Sequence, residues 1–432
     1  MKGVRALKNY ETECDILVIG GGTAGAAAAW AASGAGLKVI LAERTGRLGG
    51  AATNGLVSTL CGCYSTVGEM RKISGGARDA LAGELKKLGG IDEGVRRDTH
   101  RSDICDPELL ASALDRMVLG RGAELLLSAY VSKASFEGQR LTAVTVINLQ
   151  TGSSSEIKPR IAVDASGRAL LAEAAPMGAV MGAGRGGFQA ATLVFRMDDV
   201  DGEIARGINK ARVAELMAEA RNNGDITQER DNGVHTVLPC GTAAIVNANW
   251  VSSGQETPAA VAEGLAGGRE RVLENARFYR KYVPGFEKAV ISAVASALGV
   301  RESTRTGGEA TLTADHIAEG RDFPDGVCVG SWPMEYHDGE TNRLLYRWSD
   351  RDYTIPWGCL LPKGMENVLT AGRNISTTRE AYASARVMGQ CLALGQAAGT
   401  AARLALKGGV SLRSLDPALL RKTLAEEGAV LE

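Results

Sequence analysis

Apolar residues along this chain fall into short unbroken runs separated by glycine-rich breaks, and the first run, Ile16 to Ile19, sets the pattern. A run of that length and branching suits a strand buried on both faces of a parallel sheet. The alanine-rich stretch that follows, Ala24 to Ala32, reads as a helix, and Leu37 to Ala42 as a second buried strand. Asp106-Pro107 opens a further helix carrying Leu109, Leu110, Ala113, Leu114 and Met117 on one side. Glu124 to Leu127 and Leu141 to Leu149 read as strands, with a turn at 137–140, and Ile161 to Asp164 as a short buried strand running into Ser166 and Gly167.

From about Phe188 the texture changes. Strand-like segments at 191–197 and 243–251 alternate with charged helical stretches near 203–222 and 257–281, a mixed α+β pattern. The buried-strand pattern returns at Asn367 to Gly372, followed by a long alanine-rich helix near 383–405. No tandem repeat or low-complexity linker separates these parts. The expected fold is therefore α/β: a parallel-sheet domain formed by 11–185 and 357–432, with an α+β domain, 186–356, inserted into it.

The break after the first strand carries candidate chemistry. Gly20, Gly22 and Gly25 make G-x-G-x-x-G, which supplies a tight turn, a point where backbone can touch a pyrophosphate, and close helix-to-strand packing. The helix N-terminus behind it favours phosphate. Glu43 closes the second strand, placed to accept hydrogen bonds from a ribose, and its charge disfavours a 2′-phosphate, so NADP is the least suited occupant. FAD and NAD both remain open on this unit.

Composition narrows the function classes. The chain has 432 residues, 45% hydrophobic and 23% charged, with a formal net charge of -1, so no bulk field favours nucleic acid or an anionic membrane. The N-terminal stretch has charge throughout and no apolar signal core, and no run reaches the 18 or so apolar residues of a membrane helix. The eight cysteines lack zinc-site spacing, and Cys61-Gly62-Cys63 reads as two separate thiols. A reduced, cytoplasmic protein is expected. Glycine, at 55 residues, is abundant enough to suggest repeated close approach of backbone to a ligand.

Three separated blocks, "GGGTAG" leading to Glu43, "VDASGR" at 163–168, and "ENVLTAGRNIS" with the helix after it, fit one pattern. Together they resemble a large class of FAD-dependent oxidoreductases that includes the flavoprotein subunits of succinate dehydrogenase and fumarate reductase. Within that class the chain is most similar to a bacterial family of FAD-dependent oxidoreductases. The likeness extends to "LGG" at 48–50, "GVRESTRTGGEATLTADHI" at 299–317, "PMEYH" at 333–337 and "YTIPWGCLLP" at 353–362. The resemblance implies that 11–185 and 357–432 form a Rossmann-like FAD/NAD(P)-binding domain and 186–356 the substrate domain, and it implies FAD, because a long dinucleotide needs the second, C-terminal strand-glycine segment that NAD alone does not. It implies a cofactor set of Gly20, Gly22, Thr23, Ala24, Gly25, Glu43, Arg44, Gly49, Gly50, Val131, Ala165 and Gly167 from the N-terminal part. Gly372 and Arg373 would meet the phosphate and ribityl region, and Arg386, Val387, Met388 and Gly389 would lie under the flavin. Arg373 stands where many relatives of this class carry an acid, and its charge suits pyrophosphate.

A flavin supplies two-electron chemistry, so the protein has to orient a substrate and handle a proton. Of the four histidines, His100 is expected on a solvated charged loop, His235 in a structural strand and His316 at a helix start. His337, in the family-like "PMEYH", is the candidate proton-handling group. Arg301 and Arg305, four apart, would share one face of a strand and clamp a carboxylate, or else pair with Glu302, Glu309 or Asp315. Tyr353 is expected to pack rather than bind. No Ser-His-Asp order, metal-ligand cluster or P-loop is present. The expected function is FAD-dependent oxidation or reduction of a small, anionic molecule without nucleic-acid or membrane partners. An RNA-modifying flavoprotein and a thiazole-synthase-like or NAD-binding protein are the alternatives.

Overall fold

The computed structural model describes residues 11–182, 189–228, 230, 233–251, 257–337 and 344–432. Strand β1 (Glu11–Ile19), helix α1 (Thr23–Ala32) and strand β2 (Val39–Ala42) form a parallel unit, with Ile16 opposite Val39 and Ile19 opposite Ala42. Four more strands follow, β3 (Glu124–Leu126), β4 (Ala129–Glu137), β5 (Arg140–Asn148) and β6 (Ser154–Asp164), and β7 (Val368–Thr370) comes much later. The sheet order is β3-β2-β1-β6-β5-β4, with β7 added parallel to the end of β6. Five parallel strands thus make the binding sheet. The antiparallel β4-β5 ribbon joins it because β6 is 11 residues long: its first half pairs with β5 and its second half with β7.

Both faces of β1 are covered, as its unbroken apolar run requires. Ile16 and Val18 face a core shared with α1 and helix α3 (Met388–Gly408), while Leu17 and Ile19 face a second core under the β4-β5 ribbon. Helices α1 and α3 lie in close contact. A Cβ on Gly399 would sit 2.2 Å from the carbonyl oxygen of Ala28, so the alanine-rich faces are what lets the backbones approach.

A second, antiparallel sheet runs in the order Val234–Val237, Ala243–Asn247, Phe195–Asp198, Val290–Val294 and is backed by the helices Lys210–Asn222 and Pro258–Tyr282. It has its own core, built around Phe195, Met217, Phe278, Tyr279 and Phe286. The α/β class and the α+β character of this second part match the sequence reading. The expected boundary at 185–186 lies outside the described residues.

Three differences have local causes. The helix expected near 203–222 is two, Gly202–Arg206 and Lys210–Asn222, because Asn209 caps the second by accepting from the Arg212 amide. The helix expected near 383–405 is also two, α2 (Arg379–Ala385) and α3, parted at Arg386 and Val387. Strand β4 was not anticipated, since two register shifts, after Val131 and after Ser135, break the alternation of buried and exposed residues along this edge strand. Among the described residues no helix is long and apolar enough to cross a membrane.

Candidate active site

The turn after β1 separates glycines needed for the fold from one that is not. Gly20 has φ +95°, and a Cβ there would lie 2.6 Å from the Ala165 carbonyl oxygen; a Cβ on Gly25 would lie 1.7 Å from the Gly20 carbonyl oxygen. Gly22 has φ −62° and nothing within 4 Å of where its Cβ would be. Its bare face therefore opens outward, at the N-terminus of α1, where no side chain caps the first-turn amides at Thr23, Ala24 and Gly25. An anionic ligand suits such amides.

Two further turns converge on this one. Ala165, just past β6, donates its amide to the Ile19 carbonyl at 2.9 Å. Gly372, just past β7, has φ +68° and approaches so closely that its Cβ would meet that of Ala24 at 2.7 Å. The 49–50 loop lies against the first turn: Gly49 donates to the Gly21 carbonyl at 2.8 Å, and a Cβ on Gly50 would be 3.2 Å from the Gly22 Cα.

Glu43 is buried and anchors this region rather than standing free. One carboxylate oxygen accepts from the Gly21 amide at 2.6 Å, and the other from the Thr45 amide and hydroxyl at 2.8 and 2.7 Å. Its oxygen toward Gly21 keeps one lone pair for a ribose hydroxyl. Arg44 is exposed beside it. The Val131 side chain belongs to the core beneath the ribbon, so a cofactor contact there falls to its main chain. Arg373 does not project its charge into open space: Nε donates to the Gly167 carbonyl at 3.0 Å and Nη1 to the Val300 carbonyl at 2.5 Å. It ties the turns after β6 and β7 to the loop before Arg301. Asp164, buried, likewise holds these turns, accepting from the Ser166 and Leu171 amides and from Asn374.

The break between α2 and α3 brings the two halves of the site together. Val387 caps α3 without a side-chain bond, and Met388 and Gly389 form its first turn. Gly389 donates to the Cys61 carbonyl at 2.8 Å, and its missing Cβ makes room for the Gly62 main chain. Both cysteines there are free thiols, and burial pushes Cys61 up to about 12 and Cys63 also upward, so neither is a thiolate at neutral pH.

Arg386 reaches into a buried polar group formed around the strand Met334–His337. Its Nη2 donates to the Glu335 carbonyl at 3.1 Å and lies 3.5 Å from Gln189 Oε1, which also accepts from the His337 amide at 3.1 Å. His337 Nε2 is 3.0 Å from Glu335 Oε1, and the Trp332 indole donates to Glu335 Oε2 at 2.9 Å. The Trp250 and His337 rings pack edge to face with centroids 6.2 Å apart. Four buried atoms of this group have no hydrogen-bond partner among the described residues: His337 Nδ1, Gln189 Nε2, Trp250 Nε1 and Arg386 Nε. Buried polar atoms are rarely left unpaired, and four on residues that neighbour one another make this group the candidate ligand site.

Charge in this group is arranged asymmetrically. Burial lowers Arg301 to about 9, with Arg230 and Arg386 adding to it, and its guanidinium donates to the Ala190 carbonyl at 2.6 Å rather than to a carboxylate. Burial and the charge of Arg301 hold His337 down to about 3, against the opposing pull of Glu335, so the ring is neutral. Burial works to raise the Glu335 carboxyl, but the hydrogen bond from His337, the charge of Arg386 and the hydrogen bond from Trp332 hold it well below the usual carboxylate range.

This fixes a pH dependence of stability. A histidine whose folded pKa lies below its unfolded value of 6.5 leaves the unfolded chain binding more protons as pH falls. The contribution of His337 is therefore constant above about pH 6.5 and falls from there toward about pH 3, with that of Glu335 lost further below the ordinary carboxylate range. Urea midpoints are expected to drop between pH 7 and pH 5 and to drop less in His337→Gln; an equal decline in both would contradict this.

Several sequence expectations are corrected here. Arg301 and Arg305 do not form a clamp on one strand face, because the backbone between them is not a strand. Arg305 is bound within the protein: it pairs with Glu302 at 3.4 Å, donates to the Gly182 and Thr377 carbonyls, and lies over the Tyr382 ring. This is the ion-pair alternative, while Arg386 takes the place beside Arg301. His100 does lie in a loop whose Asp98 and Thr99 are exposed, but its half-buried ring packs edge-on against Trp332, and burial lowers it to about 4. His235 is buried against Tyr279 and Phe286, and His316 completes a capping box with Thr313, both as expected. The Tyr353 hydroxyl is taken by Ser384 and Gln390. Glu335, Gln189, Trp250 and Trp332 were not singled out by sequence; for Glu335 the signal was its spacing of two from His337, which places both on one face of a strand.

A model of the family described as FAD dependent oxidoreductase matches residues 15–424. No curated protein matches. Among solved structures, the chain is similar to a geranylgeranyl bacteriochlorophyll reductase-like protein from Thermoplasma acidophilum, at 13% identity and a TM-score of 0.49, covering 97% of this chain and 85% of that one. It is also similar to a myxobacterial chondrochloren halogenase, CndH, at 15% identity and a TM-score of 0.46, covering 95% and 78%. A third is the anhydrotetracycline hydroxylase OxyS from Streptomyces rimosus, at 12% identity and a TM-score of 0.45, covering 97% and 67%. Likeness at this level says nothing of what this chain acts on.

Proposed function

The chain belongs to the FAD dependent oxidoreductase family, and on that premise we propose that it oxidises or reduces a small carboxylate-bearing molecule at the buried group around His337. The segments 11–185 and 357–432 hold the cofactor in this reading, and 186–356 the substrate. FAD fits the residues present, since Gly22 presents open backbone at an uncapped helix N-terminus and three glycine turns meet there. The 49–50 loop, the free lone pair of Glu43 and the turns at Ala165 to Gly167 and Gly372 complete its cradle. Bound FAD supplies the two-electron step. The N-terminus of α3, from Met388, favours negative charge and is the element suited to the reduced ring.

The observation that carries the substrate half is the set of four unpartnered buried atoms beside Arg301 and Arg386. Arg301 and Arg386 hold and orient an anion, Gln189 and Trp250 donate to it, and His337 handles a proton. Exclusion of water by Trp250 and Trp332 strengthens each of these bonds. Arg301→Lys keeps the charge but loses the planar fork. Titration with carboxylates is expected to show about tenfold weaker binding or worse, with flavin content unchanged. Unchanged affinity would remove Arg301 from the site.

A further inference from the structure

We propose that Glu335 is a positioning residue that fixes the tautomer of His337, leaving Nδ1 as a proton acceptor, and that the matching substrate is a 2-hydroxy carboxylate oxidised to the 2-oxo acid. This rests on the substrate reading above and names its chemistry.

The tautomer follows from hydrogen-bond bookkeeping. Glu335 Oε2 accepts from the Trp332 indole, which has no acceptor of its own, and Oε1 lies 3.0 Å from His337 Nε2. An ionised carboxylate only accepts, so the imidazole proton sits on Nε2. Nδ1 then carries a bare lone pair, and it is the buried nitrogen left without a partner among the described residues. The groups facing His337 agree: Glu335 from its own strand, with Tyr346 opposite Glu335 in the hairpin, Arg301 from the loop past Gly299, and Arg386 from the break before α3. The two cations oppose a second proton on the free ring, and a carboxylate bound to them offsets that opposition, so that Nδ1 can take a proton when substrate is present.

The ligand is read from what is left over. Nδ1 needs a donor. Arg386 Nε, Gln189 Nε2 and Trp250 Nε1 need acceptors, and the charge of Arg301 needs an anion. One hydroxyl next to one carboxylate meets all of these demands, whereas a simple carboxylate leaves Nδ1 unpaired and an alcohol leaves the donors unpaired. In the reaction the hydroxyl O–H breaks and its proton goes to Nδ1. The C–H electron pair leaves as hydride, with oxidised FAD as the two-electron acceptor, and the carbon keeps its oxygen as a carbonyl. Atoms and electrons balance with no other reactant.

The test begins on the FAD-loaded wild type labelled with 15N-histidine, with the His337 signals assigned by comparison with His337→Gln. The expected result is a pyridine-type Nδ1 and a pyrrole-type Nε2 that do not titrate between pH 8 and pH 5. A protonated Nδ1 overturns the assignment whatever the activity. Glu335→Gln, whose amide can also donate, is expected to lose the single tautomer and to slow flavin reduction by 2-hydroxy carboxylates by about 10²-fold or more. Binding of the 2-oxo acid should stay within about threefold of wild type, since positioning acts on the proton step rather than on the anion contacts. A variant that loses oxo-acid binding in proportion to rate shows a structural role and overturns the proposal. Wild-type flavin reduced by other carboxylates but by no 2-hydroxy carboxylate overturns the substrate class, whereas oxidised flavin reduced by no carboxylate, together with reduced flavin reoxidised by none, overturns the proposed function.

Discussion

Gly22→Asp is expected to give a folded, colourless protein. The φ of −62° is ordinary for any residue and nothing lies within 4 Å of the new Cβ, so the fold has no objection to a side chain there. Aspartate is also a good helix N-cap, worth about 1 kcal/mol to α1. The cofactor does object. A carboxylate about 4 Å from a phosphate at an effective dielectric of about 20 costs on the order of 4 kcal/mol, or roughly 10³-fold in affinity. Apoprotein stability and flavin affinity should thus move in opposite directions, which a general loss of structure cannot imitate. Gly25→Ala should behave differently, because its methyl would lie 1.7 Å from the Gly20 carbonyl oxygen and the turn cannot close. Visible absorbance after gel filtration, with thermal unfolding of the apoproteins, checks both; full flavin content in Gly22→Asp would refute the placement of the phosphates.

The second large effect is on rate. His337→Ala is expected to slow flavin reduction by about 10² to 10⁴, the usual worth of a positioned base. Glu335 retains the Trp332 indole as a donor and the charge of Arg386 close by, so the carboxylate is not left unsupported. Flavin content and oxo-acid binding should persist, and stopped-flow reduction under anaerobic conditions measures the loss. A rate within about threefold of wild type would take His337 out of the proton step.

The dinucleotide half was legible in the sequence because its chemistry is local. Ile16 to Ile19, the three glycines and Glu43 act within one strand-turn-helix-strand unit, and periodicity is enough to read such a unit. The sequence could not show that Gly22 alone faces outward, since that depends on which neighbours Gly20 and Gly25 touch. The proposed substrate half is assembled from distant segments: Gln189, Trp250, Arg301, Glu335, His337 and Arg386 meet through tertiary contacts. The arginine spacing misled because residues 301–304 are not extended in a sheet, so the four-residue interval carries no facing rule. The break at Arg386 and Val387 was hidden because neither glycine nor proline marks it. There the N-terminus of α3 is set by packing of Gly389 on the Gly62 main chain.

The anionic-substrate site is tested most directly by anaerobic mixing of the FAD-loaded protein with a 2-hydroxy carboxylate and with its methyl ester, following the visible absorbance of oxidised flavin. The acid should bleach the flavin with saturation, and the ester, lacking the charge that Arg301 and Arg386 receive, should not do so at the same concentrations. Equal bleaching by acid and ester would contradict the buried group around His337 as the site of an anionic substrate, and bleaching by neither would contradict the 2-hydroxy carboxylate as its substrate.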